Sequence, residues 1–302
     1  MSMADSPLLV WHRSQGRMVP ERVQDQRALA LLYGTAAGRW AARTLFSSPL
    51  FSLLYGVSYR SARSRRKIAP FVRAYGIAAG EFEDRPYASF NDFFARRFRG
   101  GARSFVAEPC LMPAFAEARY LAWEAAPADL EFPVKGQRVR ARALLAGRDR
   151  AARFEGGPLI VARLAPQDYH RVHFLDAGPV VEHYRIRGPL HSVNPIALAA
   201  LPAILCTNRR EVMLQDTASF GRIAYVEVGA MTVGRIVQHR VPGACPQRGD
   251  EKSHFEVGAS TVVVLGEPGR WIPEAEILEN TRQGLETFVE LGTVVARCLP
   301  QR

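Results

Sequence analysis

The chain has 302 residues, of which 48% are hydrophobic and 23% charged, and it carries a formal net charge of +11. That length buries a sizeable core as one large or two ordinary domains, and the balance excludes a disordered or low-complexity protein. Residues 1–75 hold twelve Lys and Arg against three acids, so the basic excess lies at the N-terminal end and calls for an anionic surface.

Nucleic acid and acidic lipid are both drawn by such a field, and no recognised nucleic-acid module occurs in the chain. The first stretch, MSMADSPLLVWHRSQGR, has too short an apolar run and no small-residue cleavage pattern for a signal peptide. A peripheral protein on the cytoplasmic face of a membrane is the expectation. Cys110, Cys206, Cys245 and Cys298 show no CxxC or other metal-ligand spacing. They read as reduced packing residues, and no metal site is expected.

From about Gln24 to Tyr75 the sequence is rich in Ala, Leu and Arg and poor in β-branched residues, which predicts two or three helices. Within it, Thr44 to Tyr59 (TLFSSPLFSLLYGVSY) is uncharged and directly precedes the basic cluster Arg60 to Lys67. Broken by Pro49 and Gly56, it falls short of the roughly 20 residues that span a bilayer, and reads as an interfacial segment or a buried helix beside a basic loop. Ser89 predicts an N-cap, and Phe90, Phe94 and Phe98 then recur on one helical face as core. Gly100-Gly101 ends that helix.

Beyond Gly101 the periodicity shortens towards two. Strands are predicted over 118–123, 158–164, 180–186, 211–216, 221–229, 232–238, 254–257 and 261–265, with helix returning at 195–200 and over Thr281 to Leu291. The fold class is therefore α+β: a helical, basic, membrane-facing region over 1–100 and a β-rich domain over 101–302. Ser253 to Leu265, SHFEVGASTVVVL, reads as two strands around a small-residue turn. VEVGAMTVGRI reads as two strands about a Gly-Ala turn, and Lys135 as a loop residue.

Eight blocks need more than local propensity: YRSARSRRKIAPFVRAYGI, SFNDFFARRFRGGAR, FPVKGQ, RLAPQDYHRVH, GPLHSVNP, VEVGAMTVGRI, KSHFEVGASTVVVL and ILENTRQGLETFVELG. In this order, from about Tyr59 to Ala296, they resemble the phosphatidylserine decarboxylases, which cut their own chain at a Gly-Ser bond and convert the Ser into a pyruvoyl group. The resemblance implies cleavage between Ala259 and Ser260, giving fragments 1–259 and 260–302 that stay together as a heterodimer open to higher homo-oligomers. It implies a pyruvoyl cofactor made from Ser260, which forms a Schiff base with the substrate amine and draws electrons from the α-carboxylate of phosphatidylserine. No external cofactor is then needed.

By the same resemblance His173 is the base that activates Ser260, and His170 serves substrate binding and protonation during decarboxylation. The two imidazoles of a strand-borne HxxH project to opposite faces, so local twist or a bend decides whether both reach one site. The carboxylate that orients the base falls on Glu117 if AEAR is aligned with the family's Asp-Ala-Arg pattern, and on Phe115 if no gap is allowed. Ala259 stands where the family has Gly, at a cost on the order of 1 kcal/mol in a left-handed turn. These two departures leave open an uncleaved, lipid-binding relative beside the enzyme. A relative acting on a soluble amino acid is the other alternative.

Overall fold

The computed structural model of the chain describes residues 8–21, 26–125, 130–132, 137–139, 141–201, 203–231, 235–258 and 260–300. Lys135 and Ala259 lie outside the described residues.

Two runs set the centre of the molecule. LIVARL at Leu159–Leu164 and STVVVLG at Ser260–Gly266 are apolar or β-branched except at Arg163 and Ser260, and every residue of both is buried. Such runs are satisfied only where a sheet is covered on both faces. They pair antiparallel, with Ser260 opposite Leu164 and Leu265 opposite Leu159. Around them a nine-stranded sheet runs in the order Arg17–Glu21, Leu8–His12, Glu286–Val289, Ala118–Trp123, Leu159–Leu164, Ser260–Gly266, Gly221–Val228, Arg210–Thr217, Val180–Ile186. Its neighbours are antiparallel, except that Leu8–His12 runs parallel to Glu286–Val289.

A smaller sheet, ordered Ile236–Gln238, Glu251–Phe255, Arg171–His173, carries the HRVH segment beside the strand that leads into the Gly258 turn. Another joins Trp271–Pro273, Val294–Cys298 and Leu111–Pro113. There Cys110 and Cys298 form a disulfide, which corrects the expectation of four reduced cysteines. The pair is 188 residues apart in sequence and meets only because Val294–Cys298 pairs with Leu111–Pro113, so spacing gave no sign of it. Cys206 and Cys245 take no part in a disulfide among the described residues.

The N-terminal region is helical as propensity predicts, but as four α-helices rather than two or three: Gln26–Gly34, Ala36–Ala41, Pro49–Arg60 and Ile68–Tyr75, with a π-helical turn at Ala42–Phe46 and a 3₁₀ stretch at Ala62–Lys67. Pro49 starts a helix rather than breaking one, with the Ser48 hydroxyl accepting from the Phe51 N–H at 3.1 Å. The first described residues are not helical, however. Leu8–His12 and Arg17–Glu21 form a hairpin at the edge of the main sheet.

Two further expectations are corrected. The helix after Ser89 covers only Phe90–Phe94; Phe98 lies beyond it, in a bridge to Phe82 and against Tyr169. The helix expected over Thr281 to Leu291 is instead Ala275–Arg282, followed by the strand Glu286–Val289. Gly284, at φ +73°, ends the helix, and the alternating burial of Thr287 and Val289 fits a strand.

An aromatic cluster joins the helical region to the turn before Ser260. Phe90, Phe93 and Phe94 pack with Val257, and with Tyr55, Tyr59, Ile68 and Phe71 from the basic helical region. The Asn91 side chain accepts the Val257 N–H at 2.9 Å, so the turn before Ser260 is held by the helix that Ser89 caps.

Candidate active site

Ser260 opens a central strand and is fully buried. Because it lies opposite Leu164, it faces the chain that leaves that strand as Ala165-Pro166-Gln167-Asp168. Pro at the second position suits a β-turn, and the Asp168 N–H closes it by donating to the Ala165 carbonyl at 2.9 Å. In return the Asp168 carboxylate accepts the Ala165 N–H at 2.6 Å.

This turn delivers His170 to Ser260. The imidazole Nδ1 lies 3.3 Å from the Ser260 hydroxyl oxygen, and Nε2 lies 3.0 Å from the Ala165 carbonyl. A carbonyl only accepts, so Nε2 carries the proton and Nδ1 presents a lone pair to the hydroxyl. The ring stacks on Phe94 at 3.8 Å between centroids and is fully buried. Burial, with Arg96 nearby, pushes its pKa down to about 3, so the imidazole is neutral.

His173 ends the strand Arg171–His173, which His170 immediately precedes. Its Nδ1 donates to the Gly249 carbonyl at 2.7 Å and its Nε2 accepts from the Tyr169 hydroxyl at 3.2 Å, so both ring nitrogens are occupied. Glu117 is not its partner. The Glu117 carboxylate receives Arg103 at 2.6 and 3.0 Å and the Leu291 N–H at 3.2 Å. Phe115, the other aligned position, accepts the His173 backbone N–H at 2.8 Å through its carbonyl. The structure thus brings together Ser260 and His170 of the four expected residues, and holds His173 and Glu117 apart from them.

Sequence reasoning missed the supporting groups. Arg119 pairs with Asp168, and Arg119 and Arg163 stand directly opposite each other on adjacent strands. Two facing cations repel unless anions interleave. Glu21 provides that bridge, reached by Arg163 at 2.6 Å and lying 3.3 Å from Arg119, while Glu286 also pairs with Arg163. The APQD turn pattern in RLAPQDYHRVH is the signal that could have found Asp168; nothing local could have found Glu21.

Before the Ser260 strand, Gly258 sits at φ +140°, a backbone region that L side chains rarely adopt. The glycine requirement of the turn therefore falls on Gly258. A cavity of about 540 Å³ opens against this turn and is walled by Tyr59, Phe71, Phe94 and Val257, with Arg66 and Lys67 also in its lining. The Lys67 ammonium lies 3.8 Å from the centre of the Tyr59 ring, a cation–π contact.

A buried serine hydroxyl with a neutral imidazole against it thus lies beside a largely apolar cavity with cations in its wall. The family model for phosphatidylserine decarboxylase matches residues 90–289. The chain belongs to the phosphatidylserine decarboxylase family. It is 33% identical over 295 residues to the phosphatidylserine decarboxylase proenzyme of Ruminiclostridium cellulolyticum, covering 97% of this chain and 98% of that protein. It is 36% identical over 292 residues to the proenzyme of Chlamydia felis, covering 95% and 97%. With the proenzyme of Clostridium novyi it shares 34% over 285 residues, covering 94% and 97%. The decarboxylase match takes in the Ser89-capped helix, the HRVH segment and the Ser260 strand, the parts that build this site.

Proposed function

We propose that this protein is a phosphatidylserine decarboxylase that matures by cleaving its own chain before Ser260 and acts on lipid at a membrane surface. The observation that carries the reading is the contact between Ser260 Oγ and the unprotonated Nδ1 of His170. His170 takes the hydroxyl proton as Oγ attacks the carbonyl carbon of residue 259, so that an ester replaces the peptide bond. Loss of the α-proton of Ser260 then expels the upstream carboxylate, leaving a dehydroalanine that hydrolyses to pyruvoyl and ammonia. The geometry supports His170 for the base role that the family resemblance gives to His173.

Position 260 suits the pyruvoyl group. It is fully buried at the head of a rigid strand, next to a cavity that admits substrate and beside a neutral imidazole. There the group would supply a ketone that takes up the substrate amine and the electron pair left when CO2 departs. His170 is placed to return a proton to the carbon that loses CO2. Arg66 and Lys67 are suited to the phosphodiester and the aromatic wall to the first part of the acyl chains.

The lipid surface is approached through the N-terminal helices. Among the described residues, Leu31, Trp40, Leu45, Leu54 and Val57 are more than half exposed, on or between the helices that contribute Leu29, Tyr55 and Tyr59 to the cavity wall. The exposed Arg63, Arg65, Arg66 and Lys67 follow directly. Apolar side chains backed by cations suit a peripheral protein on the acidic cytoplasmic leaflet. No helix among the described residues is long and apolar enough to cross a membrane.

The test is intact-mass analysis of purified protein beside an assay on phosphatidylserine in mixed micelles and on free serine. Fragments 1–259 and 260–302, with the latter blocked at its N-terminus and active on the lipid, are expected. A single unaltered chain would overturn the reading. Activity on free serine alone would move the substrate to the soluble class.

A further inference from the structure

Cleavage before Ser260 would leave Cys110 in the upstream fragment and Cys298 in the downstream one, and these are the two cysteines that the structure joins. We infer that the Cys110–Cys298 disulfide is a covalent tether that holds the two processed fragments together as one cross-linked molecule. The inference rests on the cleavage proposed above.

The sheet places the two cysteines independently of the bond. Val294–Cys298 runs antiparallel to Leu111–Pro113 with Arg297 opposite Leu111, and the Cys298 N–H donates to the Cys110 carbonyl at 2.9 Å. Their Cα atoms are 5.0 Å apart, inside the range that a disulfide bridges without backbone movement. Cys110 is exposed and Cys298 half-buried, so small thiols and disulfides reach the pair. Formation balances simply: the two thiols give up two protons and two electrons to a small disulfide such as oxidised glutathione, which leaves as two thiols.

The tether does not replace the non-covalent hold. The downstream fragment already supplies Ser260–Gly266 to the middle of the main sheet and Glu286–Val289 towards its edge. What the bond changes is the denatured state. Without it, unfolding releases two chains and the midpoint depends on protein concentration; with it, unfolding is unimolecular. The strand that begins at residue 260 is then anchored at the far end of its fragment, and a denatured molecule keeps both pieces for refolding.

The experiment is denaturing electrophoresis of the full-length gene product, equilibrated with oxidised glutathione and then alkylated in denaturant, run with and without dithiothreitol. Peptide mapping of the unreduced sample accompanies it. The expected result is a free 260–302 fragment only in the reduced lane, a mapped Cys110–Cys298 cross-link, and alkylation of Cys206 and Cys245 alone before reduction. Cys110→Ser is expected to release the fragment without reductant while leaving lipid decarboxylation unchanged. Release of the fragment in both lanes by the unsubstituted protein, or alkylation of Cys110 and Cys298 without reductant, overturns the tether. Intact chain in both lanes sinks the cleavage reading instead, and mapping then shows whether the bond exists as a cross-link within one chain.

Discussion

The Ala165 carbonyl accepts the Nε2–H of His170 and thereby turns the lone pair of Nδ1 onto Ser260 Oγ, 3.3 Å away. A backbone carbonyl does here what a carboxylate does in other Ser-His arrangements: it fixes the tautomer and the ring orientation. It carries no full negative charge, so it stabilises the imidazolium less. Replacing His170 by Ala is expected to slow self-cleavage by roughly 10²–10⁴-fold, the usual worth of a general base. His173→Gln should leave processing within a few-fold, because that ring is engaged with Gly249 and Tyr169. The appearance of the 260–302 fragment with time on reducing gels measures both, and equal loss in the two variants would contradict the assignment.

The pH dependence of processing follows from the same burial. His170 is held at about 3 by desolvation first and by Arg96 second. A base of that pKa stays unprotonated throughout the physiological range, so the cleavage rate should be flat between about pH 8 and 5 rather than halved near 6.5. The sign for stability is opposite to that of a histidine with an anionic partner. Between about 3 and the ordinary 6.5 the unfolded chain binds a proton that the folded chain does not, so stability falls as pH drops through this window. Processing rates and thermal midpoints measured across pH 4–8 check both statements.

The central strands were legible because a strand covered on both faces is written mostly in apolar and β-branched residues. The edge hairpin was not. Arg17–Glu21 reads RMVPE, a proline-containing stretch of the kind tolerated only at a sheet edge, where a missing N–H costs nothing. The choice between His170 and His173 was also out of reach. The HxxH spacing left it to a local bend whether both rings reach one site, and it is the Ala165–Asp168 turn, following the residue opposite Ser260, that brings His170 to the hydroxyl. Glu117 illustrates the same limit, since an acid aligned by motif found Arg103 rather than an imidazole.

Glu21 is the residue on which two facing arginines depend. Burial alone would raise its pKa, but Arg163 and Arg119 overcome that and hold it at about 2. Its ionised form therefore contributes stability above the ordinary 4.5 that is lost as pH falls towards 2. Glu21→Gln removes the charge and leaves Arg119 and Arg163 buried with fewer counter-ions, a change expected to cost about 3–5 kcal/mol. Chemical denaturation of the variant at neutral pH measures the loss. A cost below about 1 kcal/mol would mean that Asp168 and Glu286 suffice.

Glu117 provides a control on the motif alignment. Its carboxylate joins Arg103 to the backbone of Leu291, well supplied with partners and with no imidazole among them. Glu117→Gln should cost about 1.5–3 kcal/mol through the weakened charged hydrogen bonds. At temperatures where the variant stays folded, its processing rate should match that of the unsubstituted chain. Loss of processing in a folded Glu117→Gln protein, read by circular dichroism beside the gel, would restore the carboxylate to the cleavage machinery.

Membrane engagement separates the lipid enzyme from a soluble one. Arg65, Arg66 and Lys67 are exposed on the 3₁₀ stretch that leads into the cavity wall, and each cation near an acidic leaflet is worth about 1 kcal/mol. Replacing all three by Gln should weaken binding to vesicles containing acidic lipid by roughly 10²-fold at low salt, with a smaller effect as salt screens the remainder. Trp40→Ala and Leu54→Ser should weaken binding in a salt-independent way, since their contribution is apolar burial. Both classes of variant should keep their thermal midpoints, because these side chains are exposed in the free protein. Vesicle sedimentation run beside decarboxylation of micellar phosphatidylserine tests this. If binding falls while turnover of fully dispersed, short-chain phosphatidylserine holds, the helices serve docking; if both fall together, the same residues also hold the head group.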